Sequence, residues 1–342
     1  MSGRSWPWGF PPEPHRQLLS GCGVRDPLAW EQEWQQRLGA WQGPPHPSLL
    51  WGLILPLLSC CFSRSGGGEA GWRPPLLIGL NGPVGAGKTT IGRVLQQLAP
   101  SLGLRLAVVS IDDAYLPFEL RLQRLAGNPF GVSRVPPGSH DLPLLLECLR
   151  RWRSGEPLQL PRFDKRLRAG QGDRAGWQRF EAVDVLVLEG WLVGCRALGE
   201  NALSRAMARP LQEWSSPLSA AELAWLPRWD RELQAYQPLW DQLDGLWLLR
   251  PSRWSLPLRW RLQAEAHQRR SAGQALQASE VASLVRATLA ALPPELYQDC
   301  LSGAQPGSSA TNALIRLDGQ RRCIWSGPAE QTQWPGSRTK GH

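Results

Sequence analysis

Residues Gly82-Pro83-Val84-Gly85-Ala86-Gly87-Lys88-Thr89-Thr90 combine three glycines, one lysine and two adjacent hydroxyls in a single short run. Glycines at this spacing let the backbone curl until successive N–H groups converge, and a helix starting at the end of the curl adds positive potential. The result is a cradle for phosphate oxygens. In such a cradle the Lys88 ammonium reaches the β- and γ-phosphates of a nucleoside triphosphate, and the Thr89 hydroxyl is placed for Mg²⁺. The apolar run 75–80 ahead of it is too short for a helix and reads as a buried strand. Residues 89–98 behind it have helical spacing, which completes the strand, loop and helix context that a phosphate-binding loop requires.

Five further groups of residues could carry chemistry that a bound triphosphate would use. Ser110-Ile111-Asp112-Asp113-Ala114-Tyr115 closes a second apolar run, 105–111. A carboxylate there suits removal of a proton from an acceptor hydroxyl or a bond to the metal, although the same residues also read as a helix cap. Glu189 follows a third run, 183–188, where a carboxylate suits Mg²⁺. The stretch Pro161-Arg162-Phe163-Asp164-Lys165 with Gly170-Gln171-Gly172-Asp173-Arg174 reads as a basic loop, which either clamps an anionic acceptor or is simply solvated. Gly138-Ser139-His140-Asp141 opens a helix expected over 140–153, with Ser139 as its cap. Arg261, Arg269 and Arg270 lie in a helix expected over 253–270. They read either as a lid over the phosphates or as an exposed basic face.

The elements that must position these groups alternate between strands and helices. Beyond those already named, a strand is expected at 246–249, a helix at 279–292 and a last strand at 313–317. Strands separated by helices imply a parallel sheet covered on both faces, an α/β fold. We expect three segments: a helical N-terminal extension over 1–72, with a capped helix over 26–38, then a kinase-type domain over 73–323 and a disordered tail over 324–342.

Composition narrows the function. Of the 38 basic side chains only Lys88, Lys165 and Lys340 are lysines, so lysine at the two internal positions carries more weight than usual. The net charge of +9 suits anionic substrates, and no run of five basic residues points to nucleic acid. The nineteen tryptophans are scattered, which reads as core packing rather than base stacking. Seven cysteines without a CxxC pair imply reduced thiols in the cytoplasm. The apolar run 49–62 is expected to be a buried helix too short to span a bilayer. These readings leave a soluble monomer acting on a small molecule, with no nucleic-acid or membrane partner.

Taken in order, the phosphate loop, Ser110 to Tyr115, Gly138 to Asp141, Pro161 to Lys165, Gly172-Asp173-Arg174, Leu188-Glu189-Gly190-Trp191 and Trp260 to Glu265 resemble the D-glycerate 3-kinase family of the plant and cyanobacterial type. More distantly they resemble uridine kinases, pantothenate kinases and phosphoribulokinases. The resemblance covers about 74–320 and departs from the family pattern at Ala114, Phe163 and Gln171. It implies a P-loop kinase fold, ATP and Mg²⁺ as cofactors, and phosphorylation of D-glycerate to 3-phosphoglycerate, the closing step of photorespiratory carbon salvage. The expected roles are then Lys88 and Asp112 for catalysis and Thr89, Asp112 and Glu189 for Mg²⁺. Tyr115, His140, Asp141, Arg162, Lys165 and Arg174 are expected on the hydroxy-acid substrate. Other small alcohols, such as a nucleoside or pantothenate, and a non-catalytic ATP-binding switch are the alternatives.

Overall fold

A computed structural model describes residues 12–26, 29–30, 32–33, 46–65, 75–208, 217–272, 276–302 and 311–327. Its centre is a sheet of six strands in the order β2-β5-β1-β6-β7-β8. These strands are β1 (Leu76–Asn81), β2 (Leu106–Ser110), β5 (Val185–Gly190), β6 (Gly245–Pro251), β7 (Thr311–Leu317) and β8 (Cys323–Gly327). The first five pair in parallel and β8 returns antiparallel to β7.

The apolar runs are continuous because both faces of the sheet are buried. Leu77, Leu186, Leu188, Leu248 and Leu314 enter one core, with the helices Leu142–Arg153, Ala220–Gln234 and Ala278–Ala291 against it. Ile78, Leu80, Val185, Val187, Leu249 and Ile315 enter the other, covered by Lys88–Leu98 and by the N-terminal helix Pro47–Arg64. Each buried Leu, Ile or Val side chain contributes about 1.5–3 kcal/mol of transfer free energy. Trp229, Trp240 and Trp260 are almost fully buried, as expected for tryptophans used in packing.

Several expectations need correction. Helix Pro47–Arg64 is, by length and composition, long enough to cross a membrane, contrary to the shorter run read from the sequence. In this fold 61% of it is buried, with Leu53, Ile54, Leu55, Leu57 and Leu58 all fully inside. It shares a core with the central strands, so the boundary expected after residue 72 does not separate it from the domain in packing. The expected tail begins too early, because Cys323–Gly327 is strand β8; hydrogen bonding to β7 overrides its turn-rich composition. Residues 328–342 lie outside the described residues, as does most of the helix expected over 26–38, although Asp26 Oδ1 accepts from the Ala29 N–H.

The largest difference is the basic loop. Its two ends form a separate antiparallel hairpin, β3 (Leu158–Asp164) and β4 (Asp173–Phe180). In β3, Leu158, Leu160 and Phe163 point inward while Gln159 and Arg162 are exposed, a near-alternation that Pro161 disguises. The turn is stapled by Arg121, which is fully buried and donates to the carbonyls of Leu116, Ser133, Gln171 and Gly172.

Gly172 has φ of 76°, and a Cβ there would sit 2.3 Å from the Phe163 ring. We predict that Gly172→Ala destabilises the protein by at least about 2 kcal/mol, combining the left-handed backbone cost with overpacking. Chemical denaturation checks this; an unchanged midpoint would show that the hairpin adjusts freely.

Candidate active site

A cleft of about 500 Å³ opens at the carboxyl ends of β1, β2 and β5, the place where open parallel sheets receive ligands. The glycine-rich loop contributes Val84, Gly85, Gly87, Lys88, Thr89 and Thr90 to its floor. Asp112, Tyr115, Lys165, Glu189 and Arg261 face them. The fold thus brings the catalytic and metal candidates into one space, and the loop's own Ala86 is buried.

The Lys88 ammonium donates to the carbonyls of Gly82 (2.8 Å) and Pro83 (3.1 Å) and lies 3.8 Å from Glu189 Oε2. Burial lowers the Lys88 pKa and raises that of Glu189, and each charge opposes the other's shift. Carbonyls and one partly distant carboxylate leave this ammonium free to exchange them for phosphate oxygens. Asp112 accepts from Lys165 Nζ at 3.0 Å. Burial pushes the Asp112 carboxyl up, but the Lys165 charge and hydrogen bonds from Lys165 and Tyr115 outweigh it and hold the group below the usual carboxylate range. Its neighbour Asp113 faces away and accepts from the Phe163 N–H at 3.1 Å, tying β2 to the hairpin. That geometry separates two adjacent carboxylates into a cleft group and a structural one.

No group of three His, Cys, Asp or Glu side chains converges as a ready metal site among the described residues. Thr89, Asp112 and Glu189 are all oxygen donors beside the loop, which fits Mg²⁺, a hard cation that relies on one or two carboxylates plus phosphate and water oxygens.

Other assignments change. His140 does not line the cleft: it is buried, stacks on Tyr115 at 4.5 Å and meets the Tyr236 hydroxyl at 2.6 Å through Nδ1. Asp141, not Ser139, caps helix Leu142–Arg153, and it also accepts from Arg174 at 2.8 Å. Arg174 donates as well to the Tyr115 carbonyl, so it holds the hairpin against that segment and is not free for an acceptor. Arg162 lies on the exposed face of β3, outside the cleft. Of the three expected lid arginines, helix Leu256–Ala272 brings Arg261 to the cleft, paired with Glu265 and beside Gln263 and His267; Arg269 donates to the Leu276 carbonyl and Arg270 points to solvent.

Sequence reasoning missed two arginines in the cleft. Arg321, in the turn between β7 and β8, donates to the Gly85 carbonyl (2.7 Å) and the Trp260 carbonyl (2.9 Å). It thereby joins the loop to the lid helix, which approaches so closely that a Cβ on Gly85 would lie 2.8 Å from Trp260. No local signal marks Arg321, which stands in a turn at the edge of the expected tail. Arg134 enters from the segment before Gly138, where a Pro-Pro-Gly run beside a basic residue was the available hint.

No family model matches the chain. The chain is 31% identical over 248 residues to the chloroplastic D-glycerate 3-kinase of Arabidopsis thaliana, covering 68% of this chain and 51% of that protein. It therefore spans about half that relative's length. It is 29% identical over 201 residues to the uncharacterized kinase mug58 of Schizosaccharomyces pombe, covering 56% of this chain and 70% of that one. The solved structure of D-glycerate 3-kinase from Cryptococcus neoformans superposes with a TM-score of 0.68 at 27% identity, over 79% of this chain and 95% of that one. By fold, the chain is a P-loop kinase. The resemblance read from the linked motifs is thus matched in sequence and in three dimensions.

Two outcomes follow from the geometry of this P-loop kinase fold. Asp112→Asn is expected to lower turnover by roughly 10² to 10⁴-fold, the range for a positioned general base, whereas Asp113→Asn acts mainly on stability. Steady-state rates and melting temperatures of both variants check this, and the reverse pattern would exchange the two roles. Burial lowers His140 from 6.5 to about 4, so below pH 6.5 the unfolded chain takes up this proton first and stability falls as the pH drops towards 4. The loss attributable to His140 is about 3 kcal/mol at most. His140→Gln should remove that part of the pH dependence in denaturation measured at pH 7 and pH 5.

Proposed function

We propose that this protein transfers the γ-phosphoryl group of ATP to the hydroxyl of D-glycerate, giving 3-phosphoglycerate and ADP. The observation that carries this reading is the Asp112–Lys165 pair, which faces the phosphate loop across the cleft. A carboxylate in that place accepts or orients a hydroxyl proton, and a neighbouring ammonium suits an acceptor that is itself an anion. An ATP-binding switch needs neither group. The relatives described as D-glycerate 3-kinases support the choice of acceptor.

In the mechanism we propose, Lys88 leaves the loop carbonyls for the β- and γ-phosphates and opposes the charge that develops during transfer. Loop N–H groups hold the triphosphate. Thr89, Asp112 and Glu189 would hold Mg²⁺, which when bound supplies charge neutralisation at the phosphates. Asp112 receives the acceptor hydroxyl's proton, and Lys165 keeps that carboxylate ionised and aimed into the cleft. Arg261 and Arg321 close the far side through the lid helix. A cytoplasmic monomer with no nucleic-acid or membrane partner, and a place in photorespiratory salvage, belong to the same proposal and rest on composition and resemblance.

A coupled ADP-release assay over small alcohols and hydroxy acids tests the acceptor. Wild type is expected to favour D-glycerate over glycerol by on the order of 10² or more in kcat/KM, since the two differ by a charge that the site must hold. Arg162→Ala should leave that preference unchanged, because the side chain lies outside the cleft. Equal use of glycerol and glycerate by the wild type would sink the glycerate reading while leaving the kinase intact.

A further inference from the structure

Of the three arginines that are buried as whole residues among the described ones, two are provided for. Arg250, 2% exposed, is held by both carboxylate oxygens of Asp299 at 2.7 and 2.9 Å. Arg121 donates to four backbone carbonyls. Arg134 is different. It is 7% exposed, and its one hydrogen bond runs from Nη1 to the Gly170 carbonyl at 2.8 Å. Among the described residues no carboxylate pairs with it. Its remaining nitrogens are not sealed in the protein but open on the cleft that it lines. A desolvated cation without a counterion is unfavourable, and an anion entering the cleft relieves that cost.

The backbone that presents this side chain is strained. Val135 has φ of 99°, a region that β-branched residues adopt only when their surroundings impose it, and two prolines follow. The Val135 side chain is itself buried and lines the cleft beside Arg134. Through Gly170, Arg134 is anchored to the same hairpin turn that carries Lys165, and its charge acts on the Tyr115 hydroxyl. It therefore stands on the acceptor wall, opposite the phosphate loop. Of the other cations there, Lys165 is engaged by Asp112 and Arg174 by Asp141.

We propose that Arg134 is the receptor for the anionic group of the acceptor, the carboxylate of a small hydroxy acid, and that the strained Val135 holds it in place. The planar guanidinium keeps donors directed into the cleft in the fork that a carboxylate fits. Lys165 then serves Asp112 and the reacting hydroxyl, and the two cations divide the acceptor between them. This assignment rests on the kinase reading above and adds the residue that selects the acceptor's charge.

The test compares wild type, Arg134→Gln and Arg134→Lys with ATP and either D-glycerate or glycerol, alongside melting temperatures with and without D-glycerate. In Arg134→Gln the preference for glycerate over glycerol is expected to fall by on the order of 10², mainly through the KM for glycerate, and Arg134→Lys to restore part of it. Without ligand, Arg134→Gln should melt no lower than wild type, because an unpaired buried charge has been removed, and the rise in melting temperature produced by D-glycerate should vanish. An intact preference overturns the proposal. So does a KM for ATP that moves as far as that for glycerate, which would place Arg134 on the phosphoryl group. A variant that melts well below wild type or does not fold overturns it too, by making Arg134 structural. If wild type turns over no hydroxy acid, the functional reading fails, whereas a glycerate-dependent melting shift that Arg134→Gln abolishes still supports the anion site.

Discussion

The Lys88 ammonium is the charge around which the site is organised. It sits where β1 ends, the loop closes and helix Lys88–Leu98 begins, in a place too dry to hold an isolated cation cheaply. Two loop carbonyls and the nearby Glu189 keep it charged without satisfying it as phosphate oxygens would. Burial of Lys88 therefore requires a second buried charge on β5, and β5 pairs with β1 along its whole length, with Asn81 opposite Gly190. Sheet register and site electrostatics are two expressions of one constraint.

The acceptor side is built on separate support. The β3–β4 hairpin is not part of the main sheet, so its position depends on discrete ties: Asp113 to Phe163, Arg174 to Tyr115 and Asp141, and Arg121 to the turn. The second tie takes up Arg174 and Asp141, two groups that the sequence offers as ligands, and spends them on orientation. What remains pointing into the cleft is Lys165 on Asp112 and the uncompensated Arg134. A site that must hold an anion next to a carboxylate needs such separation, because adjacent unlike charges otherwise neutralise each other.

The lid and the N-terminal helix show how distant segments complete the domain. Arg321, after the last parallel strand, bonds to a loop carbonyl and a lid-helix carbonyl, which couples the order of strands β7 and β8 to the phosphate loop. Helix Pro47–Arg64 covers the face of the sheet behind the loop, and Ser48 accepts from the Cys323 N–H at the start of β8. A segment without chemistry of its own thus supports the strands that carry it.

The strands, most helices and the phosphate loop were legible in the sequence because they rest on local rules: period, length and the backbone freedom of glycine. Asp112 and Glu189 were legible for the same reason, since a polar residue at the end of an apolar strand has few places to go, and Lys165 stood out as one of only three lysines. The hairpin was not, because Pro161 masks the alternation of β3 and its stability comes from Arg121 and Asp113, far away in the chain. Nor were the true duties of His140, Asp141, Arg162 and Arg174. A charged side chain's role depends on which partner the fold brings within reach, and an arginine on a strand looks the same whether it faces solvent, a carboxylate or a substrate. Arg134 and Arg321 became visible only when burial and missing or completed hydrogen bonds could be read, which are properties of neighbours and not of the residue itself.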